Sequence, residues 1–149
     1  MSTLTASATG QSRQVGRSFI AILAAIIANV VLSLGVDQVL HVLAVYPPWG
    51  QPMYEPSLNL LALSYRIVFA VVSGYLVARL APREPMRHAA ILGIIAVVLS
   101  TLGAVVAITQ ADLGPAWYPI ALVVVSFPCV WFGAVLYRRH AGRSEWKAP

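Results

Sequence analysis

Charge is the property that this chain has least of. Only 10% of its 149 residues are charged, whereas a soluble domain is usually about one quarter charged. Apolar residues make up 59% of the chain. Because charged side chains are costly in hydrocarbon and apolar ones are not, this balance excludes an ordinary soluble domain and indicates an integral membrane protein.

Cysteine and histidine are also scarce, and this limits the chemistry that the chain can perform. A single thiol, Cys129, forms neither an internal disulfide nor a Cys-x-x-Cys redox pair, so we expect it to be a packing residue. His41 is the only histidine in an apolar stretch, and a zinc site needs three or more clustered ligands. No serine has a well-placed base, and no phosphate-binding glycine loop is present. We therefore predict no cofactor, no metal and no enzymatic activity.

Lysine and arginine are absent from two of the three connections between the apolar stretches, which carry only Glu55 and Asp112. Nine of the ten basic residues form three groups, namely Arg13 and Arg17, then Arg79, Arg83 and Arg87, and finally Arg138, Arg139, Arg143 and Lys147. Basic residues stay on the cytoplasmic side during insertion, so this alternation predicts four crossings of a bacterial inner membrane with both termini cytoplasmic. We attribute the net charge of +5 to topology and to anionic lipid head groups, and expect no nucleic-acid partner.

Four apolar stretches are long enough to cross the membrane, since a helix needs about 20 residues to do so. We predict an all-α, antiparallel four-helix bundle, because the connections are short and an open strand would leave backbone groups unpaired in lipid. The predicted helices are 18–45, 59–80, 89–109 and 117–137, within a transmembrane domain at 18–139. Residues 1–17 are predicted to be a disordered cytoplasmic tail, the first helix an uncleaved signal anchor, and residues 140–149 a short basic tail.

Small residues recur at helical spacing in the second and third helices. Ala70, Gly74 and Ala78 form one such row, and Gly93 and Ser100 belong to another. Small side chains let helix backbones approach closely in lipid, so these rows predict a compact bundle. They are equally compatible with a homodimer or with a membrane-protein partner.

Pro128 lies inside the fourth predicted helix, where its missing N–H should cause a kink. Two interpretations follow, a hinge for motion and a static bend. The pattern favours the static bend.

Polar residues form one row along the first helix. Asn29, Ser33, Asp37 and His41 recur every four residues, which places them on one slowly winding face. Asp37 and Arg66 both lie nine residues from the first connection, which corresponds to a depth of about 13 Å at 1.5 Å per residue. An acid and a base at the same depth within a membrane are expected to pair.

The pair has two interpretations. It is either a structural lock for the first two helices or a coupling site in which Asp37 takes up a proton or cation, with His41 as a relay. In the coupling site Arg66 would bind an anionic substrate or hold Asp37 ionised when no cation is bound. Because a buried pair usually satisfies itself, the lock is favoured. The sequence thus predicts a non-enzymatic accessory or assembly protein of the membrane. The alternative is a small transporter or channel-like protein that uses Asp37, His41 and Arg66.

Residues 74–82 and 85–89 together resemble a sequence motif that recurs in small bacterial four-helix inner-membrane proteins. The resemblance covers the second and third helices and implies the fold without an activity. The small multidrug-resistance transporters also have four helices, but they carry an essential glutamate in the middle of the first helix. This chain has Asp37 in the outer half instead, so we do not assign it to that family.

Overall fold

The fold is all-helical in the computed structural model, which describes residues 2–111 and 113–145, with side chains at 14–109 and 113–142. The helices are α1 (Ser2–Val42), α2 (Pro56–Leu80), α3 (Pro85–Val106) and α4 (Trp117–Glu145), and a π-helical turn at Ala107–Ala111 continues α3. Four segments are long and apolar enough to span a membrane, Gln14–Val42, Pro56–Leu80, Pro85–Thr109 and Trp117–Gly142. The predicted all-α bundle with four transmembrane helices is therefore confirmed.

The helix ends differ from the predicted ones for local reasons. Helices α2 and α3 each start at a proline, three to four residues early, because the first turn needs no donor at that position. Helix α1 ends at Val42, since Ala44 adopts a left-handed backbone with φ 54° that cannot continue the helix.

Helices α1 and α4 extend into the segments predicted as tails. Helix α1 begins at Ser2, within the segment 1–17, and the disorder of that segment stays a prediction. Helix α4 reaches Glu145, so it covers the first part of the tail predicted at 140–149. Met1, residues 146–149 and Asp112 lie outside the described residues, as do the side chains before residue 14, at 110–111 and after residue 142.

The two connections that lack basic residues meet at one end of the bundle. The Met53 amide donates to the Leu113 carbonyl at 2.7 Å, which joins the first connection to the third. The buried Asn59 side chain donates to the Met53 carbonyl at 2.9 Å and to the Glu55 carbonyl at 3.0 Å. We call this the loop end. The opposite end, which holds the α2–α3 connection, is called the tail end.

Helices α2 and α4 approach each other more closely than ordinary side chains would allow. A Cβ atom built on Gly74 would overlap the Val130 carbonyl, and one built on Gly133 would overlap the Val71 carbonyl. A Cβ on Gly93 would meet the Phe127 ring at 2.7 Å, which brings α3 close to α4. Helix α1 packs mainly on α2 and touches α3 only lightly.

The core is built from small side chains, and the large apolar ones point outward. A buried cluster near the tail end consists of Ala21, Ala25, Val77, Ala78, Ala89, Leu92, Val130 and Ala134. Val124 and Phe19, by contrast, are 67% and 65% exposed. Lipid solvates such surfaces, so close backbone approach takes over the role that apolar burial has in water.

The small residues singled out from the sequence lie within this bundle. Gly74, Ala78 and Gly93 are buried, and Ala70 packs against the core cluster. The Ser100 hydroxyl oxygen lies 3.2 Å from that of Ser126 on α4. The row in α2 therefore contributes to packing inside one chain, while a homodimer stays a prediction.

Helix α4 is continuous across Pro128. The nearby Ser126 hydroxyl donates to the Leu122 carbonyl at 2.6 Å. Because Pro128 has no N–H, the carbonyl that loses its donor is that of Val124, four residues earlier, and not that of Leu122. The hinge therefore stays a prediction.

Candidate functional site between two cavities

An ion pair joins α1 to α2 inside the bundle. Arg66 Nη2 donates to Asp37 Oδ2 at 2.6 Å, and the Asp37 side chain is only 7% exposed. The Tyr65 hydroxyl donates to the other carboxylate oxygen, Oδ1. The structure thus brings together the acid and the base that the sequence placed at equal depth. Both oxygens of the buried carboxylate are bonded, as a charge in a low-dielectric setting requires.

Arg66 is less completely satisfied than Asp37. Its guanidinium carbon lies 5.9 Å from the ring centroid of Tyr118 on α4 and 6.0 Å from that of Tyr65. Aromatic faces at this distance attract a cation. Its Nε is buried and has no hydrogen-bond partner among the described residues. The guanidinium is therefore bonded at one N–H and unsatisfied at another.

A second tyrosine continues the hydroxyl chain toward the loop end. The Tyr46 hydroxyl lies 3.4 Å from the Tyr65 hydroxyl and 3.4 Å from the Leu58 carbonyl, both long contacts. Burial raises the pKa of Tyr46 above its ordinary value of 10.0, so this phenol stays protonated at neutral pH. Three groups thus lie in series, Tyr46, Tyr65 and Asp37.

His41 lies one helical turn from Asp37 and bonds to its backbone. Its Nδ1 is 2.7 Å from the backbone carbonyl of Asp37, and because a carbonyl only accepts, Nδ1 carries the proton. The ring stacks on Trp49 with centroids 3.9 Å apart and an interplanar angle of 2°. The structure places His41 at the wall of the loop-side cavity, one helical turn from Asp37, and its role as a relay stays a prediction.

Two cavities meet at the ion pair. The loop-side cavity, about 440 Å³, is bounded by α1–α4 and by residues of the first and third connections, including Trp49 and Gly114. The tail-side cavity, about 420 Å³, extends between α1 and the other helices as far as Ala25. Four residues line both cavities, Asp37, Arg66, Ser100 and Leu122. The pair and these two neighbours therefore form a partition.

The polar row of α1 follows both cavities. Asn29 and Ser33 line the tail-side cavity, and His41 lines the loop-side cavity. Asn29 Oδ1 is buried without a hydrogen-bond partner in the described part of the chain. Ala25, twelve residues before Asp37, lies about 18 Å further along the helix at 1.5 Å per residue. Leu92 and Val130 of the core cluster also line this cavity.

The π-helical turn after α3 also borders the loop-side cavity, through Ala107 and Ile108. Such turns often occur at functional sites because they redirect the helix and its side chains. The uniform apolar pattern of this segment predicted an uninterrupted helix and did not reveal the turn.

Sequence analysis did not identify three aromatic residues as members of the site, namely Tyr46, Tyr65 and Tyr118. Tyr46 and Tyr118 lie at the ends of apolar stretches, where tyrosine is common at membrane interfaces. Tyr65 precedes Arg66 directly in a predicted helix, and adjacent residues point in different directions. The Tyr65 phenol could have indicated a site residue, since a hydroxyl inside an apolar stretch needs a polar partner.

The described residues contain no group of three His, Cys, Asp or Glu side chains that could hold a metal ion. Cys129 is a free, partly buried thiol. No protein-family model, curated protein or solved structure matches the chain.

Proposed function

We propose that this chain is a non-enzymatic, multi-pass membrane protein that carries a small polar solute past the Asp37–Arg66 pair. The observation that carries the proposal is the position of the pair, which separates two cavities within one bundle. Small-molecule sites commonly have volumes of about 300–1,000 Å³, and each cavity falls in that range.

The cavities favour transport over a purely structural lock. A side-chain pair that only fixes helix register needs close packing around it, because protein interiors leave few voids larger than water. This pair has open volume on both sides. The tail-side cavity reaches Ala25 of the core cluster, so a solute that enters from the loop end would pass the ion pair on its way to the tail end. The accessory or assembly role, with the pair as a lock, is the alternative that the tests below distinguish.

Cysteine accessibility tests the transport proposal. In a Cys129→Ser background, Ser33→Cys places a thiol at the tail-side cavity, and Ile27→Cys places one on the same helix at a position that is 52% exposed on the lipid-facing surface. A conduit predicts that a membrane-impermeant thiol reagent modifies Ser33→Cys from either side of sealed vesicles, because transport opens the cavity to each side in turn. Ile27→Cys should remain unmodified. If the reagent modifies Ser33→Cys from neither side, the result would favour the structural lock.

We also propose that the protein resides in a bacterial inner membrane with both termini cytoplasmic. The support is the distribution of nine basic residues on one side against none in the first and third connections. A reporter fused at Lys147 should behave as cytoplasmic, and one inserted at Gln51 as periplasmic. Alkaline phosphatase activity from the fusion at Lys147 would overturn this topology.

A further inference from the structure

We propose that the Asp37–Arg66 pair is a proton-linked binding site for a small monocarboxylate, in which the solute takes the place of Asp37 on Arg66. This inference rests on the proposed transport function and names its solute class and its coupling ion. It starts from the fact that Arg66 already binds a carboxylate, the one supplied by α1.

Arg66 can hold a free carboxylate better than it holds Asp37. A planar guanidinium offers a fork of N–H groups that matches both oxygens of a carboxylate. Of the Arg66 nitrogens, only Nη2 donates to Asp37, and Nε has no partner among the described residues. Because a solute is not attached to α1, its carboxylate can accept two hydrogen bonds from Arg66, one from Nη2 and one from Nε.

The charges around the cavities select a monovalent anion. Among the described residues that line either cavity, Arg66 is the only Lys or Arg and Asp37 is the only residue with a side-chain carboxylate. A second carboxylate or a phosphate dianion would lack a second cation in a low-dielectric site. Pro47, Pro48 and the stacked rings of His41 and Trp49 line the loop-side cavity, which suits a short and largely apolar body.

Charge balance links binding of the anion to a proton. The ion pair is neutral as a unit, so an added carboxylate would leave a net negative charge inside the membrane, which is costly. Protonation of Asp37 restores neutrality and frees Arg66, so one proton should enter with each carboxylate. The other titratable groups that line this region are His41 of α1, Tyr46 of the first connection, Tyr65 of α2 and Tyr118 of α4, while α3 contributes the non-titrating Ser100.

The hydroxyl chain provides a route for that proton. Tyr65 passes its proton to Asp37 Oδ1 and receives the proton of Tyr46, which is replaced from water at the loop end. Each phenol ends with the proton count it began with. The only net change is one proton gained by the Asp37 carboxylate, and no bond to carbon is made or broken.

The test uses the full-length protein in nanodiscs with lactate as the probe and lactamide as its neutral control. Calorimetry in buffers of different ionisation enthalpy counts protons taken up with each lactate, and the expected count is one. The affinity should fall about tenfold per pH unit where Asp37 is ionised in the free protein. Lactamide should not bind. Lactate binding without proton uptake would overturn the coupling while leaving transport intact.

A variant provides an independent readout through stability. Asp37→Asn mimics the protonated carboxyl and leaves Arg66 without an anion, so lactate should bind without proton uptake and should raise its thermal midpoint. Arg66→Gln should gain nothing from lactate, and Arg79→Gln, which lines neither cavity, should behave like the unaltered protein. Failure of lactate to bind the unaltered protein or to stabilise Asp37→Asn would overturn the carboxylate assignment. If Ser33→Cys is nevertheless modified from both sides, the proposed transport survives that failure; if it is not, both proposals fall.

Discussion

Arg66→Gln should destabilise the folded protein by about 3–5 kcal/mol, because it leaves the buried Asp37 carboxylate unpaired. Asp37→Asn should also destabilise it, but by less, because the Arg66 side chain is 31% exposed. The double variant should recover much of that loss, since removing both partners of a buried pair can be nearly neutral. The structural basis is the 2.6 Å contact between Arg66 Nη2 and Asp37 Oδ2 on a carboxylate that is almost inaccessible. Unfolding of the four proteins in one detergent measures the coupling energy. Additive losses would count against the contact.

A second ion pair in the same chain serves as the matched control. Arg87 Nη1 donates to Glu84 Oε2 at 3.2 Å, and these two side chains are 74% and 64% exposed. Exposed pairs contribute about 0–1 kcal/mol, so Arg87→Gln should change stability little. A loss in Arg87→Gln as large as that in Arg66→Gln would indicate a general sensitivity to charge removal and not a specific buried pair.

The same double variant separates the structural lock from the coupling site. If the pair is a lock, the double variant should regain its biological role together with its stability. If the pair is a coupling site, the double variant should be stable and inactive, because a neutral pair neither takes up a proton nor holds an anion. Loss of lactate binding in a stable double variant would therefore support the site, and retained binding would contradict it.

Gly74→Ala and Gly133→Ala should each destabilise the bundle by about 3 kcal/mol, toward the upper end of the usual cost of overpacking. In both cases the new Cβ would overlap a backbone carbonyl on the facing helix, Val130 for Gly74 and Val71 for Gly133. A backbone atom cannot rotate away, so α2 and α4 must separate. Gly93→Ala should cost less, since the Phe127 side chain that it meets can adjust. Thermal unfolding in detergent measures this order.

Gly35→Ala is the matched control, because this exposed helical glycine has nothing within 4 Å of an added Cβ. It should be neutral or stabilising by up to about 1 kcal/mol, from the higher helix propensity of alanine. With larger side chains, Gly74→Leu should be more disruptive than Val72→Leu, because Val72 is 43% exposed. Equal stability of Gly74→Ala and Gly35→Ala would refute the close α2–α4 contact.

Much of the candidate site could be predicted from spacing along the chain. A short connection between antiparallel helices relates depth in one helix to depth in the other, so Asp37 and Arg66 could be matched by counting residues. The regular spacing of Asn29, Ser33 and Asp37 likewise indicated one polar face. Tyr65 could not be placed in this way, because its contact with Asp37 depends on how α1 crosses α2 and on the side-chain rotamer.

The sequence by itself determined the class of the fold. Its scarcity of charge and its four long apolar stretches leave α-helices as the way to satisfy the backbone in lipid, and this holds whatever the side-chain packing. Only the tertiary structure decided that α2 and α4 meet at their backbones through Gly74 and Gly133, while α1 packs mainly on α2. That asymmetry leaves volume beside α1 on both sides of the ion pair. Cavities are gaps between elements distant in the chain, so the pattern of any single helix does not contain them.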